Sequence, residues 1–584
     1  MQPQFAQDRI LNHLTALYGK NRAHDIQDQI IKRLDSYKEE ELLQFSPSAL
    51  DTLGELDAIL ITYGDQFQLP DKPHLFTLGD FIRDNLKGLI SSIHILPFFP
   101  YSSDDGFSVI DYMAVNPDLG NWSDINNLRD DSNLMFDAVI NHISRQSEWF
   151  QKYLQDQDPY SDYFLSVDPA TDLSQVTRPR ARPLLTEVET KSGIKHVWTT
   201  FSPDQIDLNF KSTELLLDIL DVLLFYIKQG ARILRLDAIA FLWKEIGTNC
   251  IHLPQTHHVI KLIRAVLDVY APEVILITET NVPHVENISY FGQQLPGATG
   301  TESLGDEAQM VYQFPLGPLV LHTFRTGNAT KLTKWAKSLE VPFSSATFLN
   351  FIASHDGIGL RPVEGILNTR EIQALVDQTL HHGGQASFKT NLDGTESVYE
   401  LNITLFDALN HPEENTIELG TKRFLASQAI MLSLVGVPGI YVHSLFGSAN
   451  NKAGVTETGR ARSINREKFN YGDLKILLAD PESRAARVFQ SYSHFLRVRQ
   501  GNPAFHPLAP QEILDLDHRV FGVTRTSLDQ AEKVLCLINI TDTEVALDLN
   551  PDLLPSATWV DILSEKNYSS GDLDLEPYQV LWLV

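Results

Sequence analysis

The chain has 584 residues, and its 47 Lys and Arg against 75 Asp and Glu give a formal net charge of −28. With 43% hydrophobic and 21% charged residues, its composition is typical of a soluble globular protein and argues against disordered, collagen-like and coiled-coil classes. The negative charge argues against sequence-independent binding to nucleic acid or to anionic membranes, since polyanions would be repelled at long range.

The N-terminal segment, residues 1–54, predicts two amphipathic helices. Leu, Ile and Tyr recur at three- and four-residue spacing, first between Ile10 and Tyr18 and then between Ile30 and Leu34. The opening text MQPQFAQDRILNHL lacks the basic and apolar regions of a secretory signal, and no apolar run reaches about 20 residues. We therefore predict a cytoplasmic protein without a membrane span.

Short β-branched runs then alternate with longer helical stretches, a pattern typical of βαβ units and a parallel sheet. Several runs end in a polar or charged residue. In a (β/α)8 barrel such ends converge on one face, where the active site lies. We predict an α/β fold built on a (β/α)8 TIM barrel. The runs begin near residues 57, 92, 134, 231, 273, 346 and 437.

Two departures from this alternation predict further domains. About 90 residues separate the third run from the fourth, more than one crossover helix needs, which indicates an inserted subdomain over the barrel mouth. After about residue 505, alternating strands without helices indicate an all-β C-terminal domain. The predicted division is an N-terminal helical extension (1–54), a catalytic barrel (55–145 and 211–504), an inserted subdomain (146–210) and a C-terminal β domain (505–584).

Carboxylates and their neighbours stand at four predicted strand ends. They are Asp137 with Asn141 and His142, Arg235 with Asp237, Glu279, and His355 with Asp356. Cleavage of a glycosidic bond needs such a set, because one carboxylate attacks the anomeric carbon while another protonates the leaving oxygen. A separation of about 5 to 5.5 Å between the two would retain the configuration through a covalent intermediate.

The surroundings of two of these carboxylates predict opposite roles. Arg235 lies two residues before Asp237 on the same side of the strand, so we expect it to keep Asp237 ionised. Glu279 follows an apolar strand, which disfavours the charged form and favours a protonated acid.

The segments DAVINH, GARILRLDA, the strand before Glu279 and ASHDG together resemble the four signature regions of the α-amylase family of glycoside hydrolases and transglycosylases. The resemblance implies that Asp237 is the nucleophile and Glu279 the general acid/base. It implies that Asp356 holds the sugar hydroxyls and stabilises the transition state. The residues implied to line the glucose subsite are His142, Arg235 and His355.

Within that family the chain resembles the sucrose phosphorylase subgroup, on the text ILPFFPYSSDDGFSVIDYMAVNPDLGNWSDI and on HDGIG, VYELNIT and SINR. This resemblance implies that Asp104 binds glucose, that Phe107 forms a platform for the sugar, and that Arg466 pairs with Asp104 at the closed end. Tyr399 of VYELNIT is implied to contact substrate. A pocket that closes after one glucose suits a disaccharide rather than starch.

Three positions depart from the sucrose phosphorylase pattern, namely Phe241, Asn281 and Glu400, and we expect Asn281 and Glu400 to face the acceptor. The text ETNVPHVENISYFG (279–292) and the N-terminal helices look instead like the glucosylglycerate phosphorylases of the same subgroup. The resemblance therefore favours phosphorolysis of 2-O-α-glucosylglycerate. Sucrose or glucosylglycerol phosphorylase activity remains an alternative, and an α-glucoside hydrolase, a transglucosidase or a non-catalytic carbohydrate-binding protein are further ones.

Anionic ligands need local cations in so acidic a protein. Arg180, in the sequence TRPRARP, is predicted to bind inorganic phosphate as co-substrate, against the alternative of a solvated loop. For the carboxylate of glycerate we expect Arg361 or Arg182, with Lys244 a weaker candidate.

Cofactors and assembly are less constrained by the sequence. We predict no metal or other cofactor, and His252, His257 and His258 are interpreted as surface histidines because they lack carboxylate or cysteine partners. The two cysteines, Cys250 and Cys536, predict free thiols. Either a monomer or a homodimer is compatible with the sequence.

Overall fold

The computed structural model describes residues 3–39, 53–180, 183–295, 303–391, 395–411, 413, 416–554, 556 and 558–584. Eight parallel strands form a closed barrel, which confirms the predicted fold. We number them β1 to β8 in chain order and give other strands by residue range. They are β1 (Ile59–Thr62), β2 (Ser92–Ile95), β3 (Asn133–Ala138), β4 (Ala231–Leu236), β5 (Ile275–Thr278), β6 (Met310–Tyr312), β7 (Thr347–Asn350) and β8 (Val437–Tyr441).

Seven of these strands correspond to the predicted runs, and β6 is the one that the sequence did not predict. Its three residues pair with β5 and β7, with Met310 opposite Ile277 and Thr347. A run of three apolar residues is too short to carry a periodic pattern. The strand is therefore defined by its two neighbours, which supply its hydrogen bonds.

Helices occupy the connections between the strands. The helix Thr213–Lys228 is typical: Ser212 caps it by accepting a hydrogen bond from the Leu215 amide, and its apolar residues are buried. The other described helices between β1 and β8 are His74–Asn85, Trp122–Arg129, Glu148–Leu154, Pro254–Tyr270, His284–Asn287, Leu316–Thr326, Thr330–Lys337, Thr369–His381, Leu405–Leu409 and Ile417–Ser433. After β8 come Lys452–Thr458, Tyr471–Ala479 and Arg484–Gln500. None of the described helices is long and apolar enough to cross a membrane.

The N-terminal segment forms the two predicted helices, Pro3–Tyr18 and Lys20–Glu39. They pack against the barrel helices that precede β4 and β5. Arg33 pairs with Asp221 at 3.0 Å, and the Tyr18 hydroxyl donates to the carbonyl of Phe210 at 2.8 Å. The extension thus supports the two helices that lead into the strands before Asp237 and Glu279.

In the described part of the chain, four groups of strands lie outside the barrel. One is the parallel pair of Phe67–Gln68 and Phe469–Asn470. Between β3 and β4, Leu185–Thr190 pairs with Gly193–Trp198, and His142–Ser144 pairs with Gln205–Asp207. Between β7 and β8, Ile358–Gly359, Glu396–Asn402 and Gln385–Thr390 form a three-stranded sheet. C-terminal sheets contain the following strands: Gln511–Ile513, Val520–Thr526, Lys533–Asn539, Val545–Asp548, Thr558–Val560, Asn567–Ser569, Asp572–Leu575 and Val580–Leu583. The exact domain boundaries stay predictions.

Candidate active site

A small cavity of about 60 Å³, called here the inner cavity, lies where β3, β4, β5 and β7 end. It brings together nine of the residues predicted from the sequence: Asp104, Phe107, His142, Arg180, Asp237, Glu279, His355, Asp356 and Tyr399. Four residues that the sequence analysis did not select also line it: Phe201, Gln205, Ala238 and Arg462. The convergence follows from the barrel, since parallel strands that end in polar residues place them on one face.

Asp237 lies at one end of a buried network of hydrogen-bonded polar and charged side chains. Arg235 donates from Nη1 to Asp237 Oδ1 at 2.7 Å and also to Asp137, which in turn bonds His94 at 2.7 Å. Burial would raise the pKa of Asp137, but Arg235 and His94 lower it to about 2. Arg235 therefore divides its charge between two carboxylates.

Burial and the charge of Arg235 have opposite effects on the pKa of Asp237. Burial raises the pKa of Asp237, and Arg235 and His142 only oppose that rise. Arg235 also donates from Nε to the hydroxyl of Tyr312 at 3.1 Å, so its guanidinium is held on both sides. Arg235 therefore both holds the Asp237 carboxylate by a hydrogen bond and opposes the effect of burial on its pKa.

Glu279 directly follows β5 and faces the backbone next to Asp237. Its Oε2 accepts a hydrogen bond from the Ala238 amide at 3.0 Å. Ala238 has φ 49° and ψ 30°, a left-handed conformation that costs a residue with a Cβ on the order of 1 kcal/mol. Burial raises the pKa of Glu279 to about 7, with the negative charges of Asp237 and Asp356 adding to the rise. This agrees with the predicted direction.

Asp356 is held by an arginine that the sequence analysis did not select. Arg462 contacts Asp356 and donates two hydrogen bonds to Glu400, at 2.9 and 2.8 Å. Burial would raise the pKa of Asp356, but Arg462, Arg466 and Arg235 together lower it. Arg462 directly precedes the SINR motif, and this position is the one feature of the sequence that could have pointed to it as a site residue.

Glu400 was expected to face the acceptor, but the structure places it elsewhere. It is buried, lines neither of the cavities described here and bonds Arg462 and the Asn402 amide nitrogen, the latter at 3.0 Å. Burial would raise the pKa of Glu400, but Arg462 lowers it. A buried carboxylate is stable only with such a partner. Glu400 therefore positions Arg462 against Asp356.

The ion pair of Arg466 differs from the one predicted for the closed end of the glucose pocket. Arg466 bonds Asp105 instead of Asp104, and its Nε donates to the carbonyl of His355 at 2.7 Å. Asp104 and Asp105 have φ of 55° and 50°, so the backbone turns sharply and directs consecutive carboxylates apart. Asp104 accepts a hydrogen bond from Gln205 Nε2 at 3.3 Å and lines the cavity.

Phe107 forms a flat wall of the inner cavity. Its ring stacks on the imidazole of His355, with centroids 5.1 Å apart and planes 6° from parallel. Its carbonyl oxygen lies 2.9 Å from His142 Nε2 and accepts from Gln205 Nε2 at 3.1 Å. Aromatic faces of this kind suit the apolar side of a sugar ring.

A larger cavity of about 580 Å³, called here the outer cavity, adjoins the inner one. The two share Phe201, Ala238, Glu279 and Tyr399 as walls. Phe241, Asn281 and Arg361 line the outer cavity. Two further cations line it as well: Arg178 and Lys389.

Comparison with known proteins places this site in a family. The catalytic-domain model of alpha amylase matches residues 84–356. Over 100% of this chain and 99% of its own length, a glucosylglycerate phosphorylase of Allomeiothermus silvanus is 48% identical. The chain belongs to the α-amylase family.

Other relatives are less similar to this chain. A glucosylglycerate phosphorylase of Escherichia coli is 42% identical over 98% of this chain and 99% of its own length. A sucrose phosphorylase of Agrobacterium vitis is 29% identical over 76% of this chain and 88% of its own length. The crystal structure of a sucrose 6F-phosphate phosphorylase from Thermoanaerobacter thermosaccharolyticum has a TM-score of 0.72 at 23% identity, covering 90% of this chain and 98% of that one, which supports the fold. These relatives confirm an enzyme of the glycoside phosphorylase type.

The predicted cations of this α-amylase family member have different surroundings. Arg180 is half-buried at the inner cavity, with Cζ 5.9 Å from the ring centre of Tyr399. Arg182 lies outside the described residues. Lys244 is buried and bonds Asp207 at 2.9 Å and Asn141 Oδ1 at 3.0 Å. It therefore balances a core carboxylate and cannot serve an acceptor.

The three histidines interpreted as surface residues are instead half-buried and bonded to neighbours. His252 Nδ1 lies 2.8 Å from the Tyr290 hydroxyl, His257 Nδ1 lies 2.8 Å from Glu307, and His258 Nδ1 lies 3.1 Å from His13. Among the described residues, no three His, Cys, Asp or Glu side chains are grouped as metal ligands would be.

Proposed function

We propose that the protein is a retaining phosphorylase that transfers glucose from 2-O-α-glucosylglycerate to inorganic phosphate, giving α-glucose 1-phosphate. The observation that carries the proposal is the arrangement of charge. The inner cavity is lined by carboxylates and by the ring of Phe107, and it adjoins an outer cavity whose lining includes three cations beside Glu279 and Glu364. In a protein of net charge −28, cations concentrated at one cavity favour anionic reactants there.

The proposed reaction has two displacements. Asp237 attacks the anomeric carbon while Glu279, protonated, gives its proton to the leaving oxygen of glycerate, and a glucosyl ester of Asp237 forms. A phosphate oxygen then attacks the same carbon, the ester bond breaks, and Glu279 takes up the proton. Asp356, held by Arg462, would bind the sugar hydroxyls in both steps.

The two anions use different cations in this proposal. Arg180 stands at the inner cavity beside Tyr399, with its Nε buried and without a hydrogen-bond partner in the described part of the chain. It is proposed to bind the attacking phosphate. Arg361, which lines the outer cavity and not the inner one, is proposed to bind the carboxylate of glycerate. A planar guanidinium suits both groups because it can donate two parallel hydrogen bonds.

Removing the Arg180 guanidinium should weaken the use of phosphate. We expect Arg180→Ala to cost about 1.5 to 3 kcal/mol in kcat/KM for phosphate, the scale of a charged hydrogen bond, with a smaller effect on hydrolysis of the donor. Initial rates at varied phosphate measure this. The matched control is Arg178→Ala, which removes a half-buried arginine from the outer cavity only. An unchanged phosphate dependence in Arg180→Ala would place the phosphate site elsewhere.

The acceptor preference separates this proposal from its alternatives. In the synthetic direction, with α-glucose 1-phosphate as donor, we expect D-glycerate to outcompete fructose and glycerol, because only glycerate offers Arg361 a carboxylate. The measurement is product analysis with all three acceptors present at equal concentration. Preference for fructose would indicate a sucrose phosphorylase, and preference for glycerol a glucosylglycerol phosphorylase. Release of free glucose regardless of acceptor would indicate a hydrolase.

A further inference from the structure

Glu286 faces the arginine that the proposed function assigns to the acceptor. Arg361 Nη2 lies 3.6 Å from Glu286 Oε2, and the described residues form no other ion pair with the Arg361 guanidinium. The distance is longer than a hydrogen bond, so the pairing is a loose one. Arg361 thus keeps its planar set of donors free for a ligand at the outer cavity while its charge is balanced.

The same oxygen of Glu286 has a second partner. His252 Nε2 lies 3.2 Å from Glu286 Oε2, and His252 Nδ1 lies 2.8 Å from the Tyr290 hydroxyl. Tyr290 is fully buried, and its hydroxyl can donate to Nδ1, which leaves the proton of a neutral imidazole on Nε2 and directed at Glu286. Burial lowers the pKa of His252, which favours this neutral form. Glu286 therefore stays hydrogen-bonded when Arg361 has another anion.

We propose that Glu286 is the resting counter-ion of Arg361 and that the carboxylate of the acceptor displaces it. This inference rests on the proposed function, since it takes Arg361 as the carboxylate site. On binding, the acceptor carboxylate makes the two hydrogen bonds that Glu286 does not make, and Glu286 remains on His252. The exchange keeps the arginine charge balanced in every state, which matters at a half-buried site because an uncompensated charge there is costly.

The exchange has a consequence for selectivity. When a neutral polyol occupies the outer cavity, Arg361 stays paired with Glu286 and is not left without a counter-ion. Binding of glycerate competes with Glu286, whereas binding of a neutral acceptor does not, so the preference for a carboxylate is smaller than in a site whose cation has no internal partner. Glu286 sets how strongly the enzyme prefers a carboxylate over a neutral acceptor, and it does so by competing for the arginine.

The test is the KM for D-glycerate in the synthetic direction, measured on the full-length enzyme. Glu286→Gln keeps the shape and an oxygen acceptor for His252 but removes the competing charge. We expect its KM for D-glycerate to fall about three- to tenfold, with the KM for glycerol and for α-glucose 1-phosphate within twofold of the unaltered enzyme. Arg361→Ala should raise the KM for D-glycerate tenfold or more, and adding Glu286→Gln to it should change nothing further.

The control is Glu364→Gln, which removes a charge from the same outer cavity where it pairs with Lys389 at 3.4 Å. We expect a change of less than twofold in the KM for D-glycerate. An equal fall in Glu364→Gln would mean a general charge effect and would overturn the inference. An unchanged or higher KM in Glu286→Gln would also overturn it, while the effect of Arg361→Ala would still stand for the acceptor site. If the unaltered enzyme did not accept D-glycerate, the proposed function itself would fail.

Discussion

Asp237→Asn lowers turnover on the order of 10⁴-fold or more, because the amide cannot form the glucosyl ester and the covalent route is lost. The fold should survive this change. Arg235 also bonds Asp137, so it is not left as an uncompensated buried charge, and the Asn oxygen can still accept from Nη1. Steady-state phosphorolysis together with thermal unfolding measures both expectations.

A matched control separates loss of the nucleophile from loss of an ion pair. Asp517→Asn changes an aspartate that bonds Arg519 at 2.8 Å beside the C-terminal sheets, far along the chain from the barrel site. We expect close to normal turnover for Asp517→Asn. A folded Asp237→Asn enzyme with near-normal turnover would contradict the assignment of Asp237.

The barrel and its three carboxylates could be predicted because both depend on local patterns. Strand β4 is a buried run that ends just before Asp237, and β5 is one that ends just before Glu279, so the topology alone brings the two together. The extra strand β6 escaped prediction because Met310–Tyr312 is defined by pairing with its neighbours, which a periodic pattern does not report.

The surroundings of the carboxylates could not be predicted as well, since they depend on partners that are distant in sequence. Arg462 reaches Asp356 across 106 residues and Glu400 across 62. Arg466 bonds Asp105 instead of Asp104 because two left-handed residues redirect the chain. Sequence resemblance supplies the residue types, but the choice between adjacent aspartates is made by backbone dihedral angles.

The identity of Glu279 as acid and base can be tested by its dependence on the leaving group. Glu279→Gln should slow phosphorolysis of glucosylglycerate on the order of 10²- to 10⁴-fold, the usual contribution of general acid–base catalysis. It should slow phosphorolysis of α-glucosyl fluoride much less, because fluoride leaves with little help from a proton. Equal losses on both donors would instead indicate a structural role for Glu279.

The pH dependence of the same step gives a second test. Burial raises the pKa of Glu279 to about 7, so the acid form is populated below that pH and is lost as the pH rises through it. Formation of the glucosyl ester from glucosylglycerate should therefore decline above about pH 7, and this decline should vanish in Glu279→Gln. Glu307 is a sharp control, since burial raises its pKa to about 7 as well, yet it bonds His257 away from both cavities. Glu307→Gln should keep the decline, because its carboxyl group has no contact with the reacting atoms. A decline that persisted in Glu279→Gln and vanished in Glu307→Gln would mean that the titrating group is Glu307. That result would contradict the role of Glu279 as the proton donor.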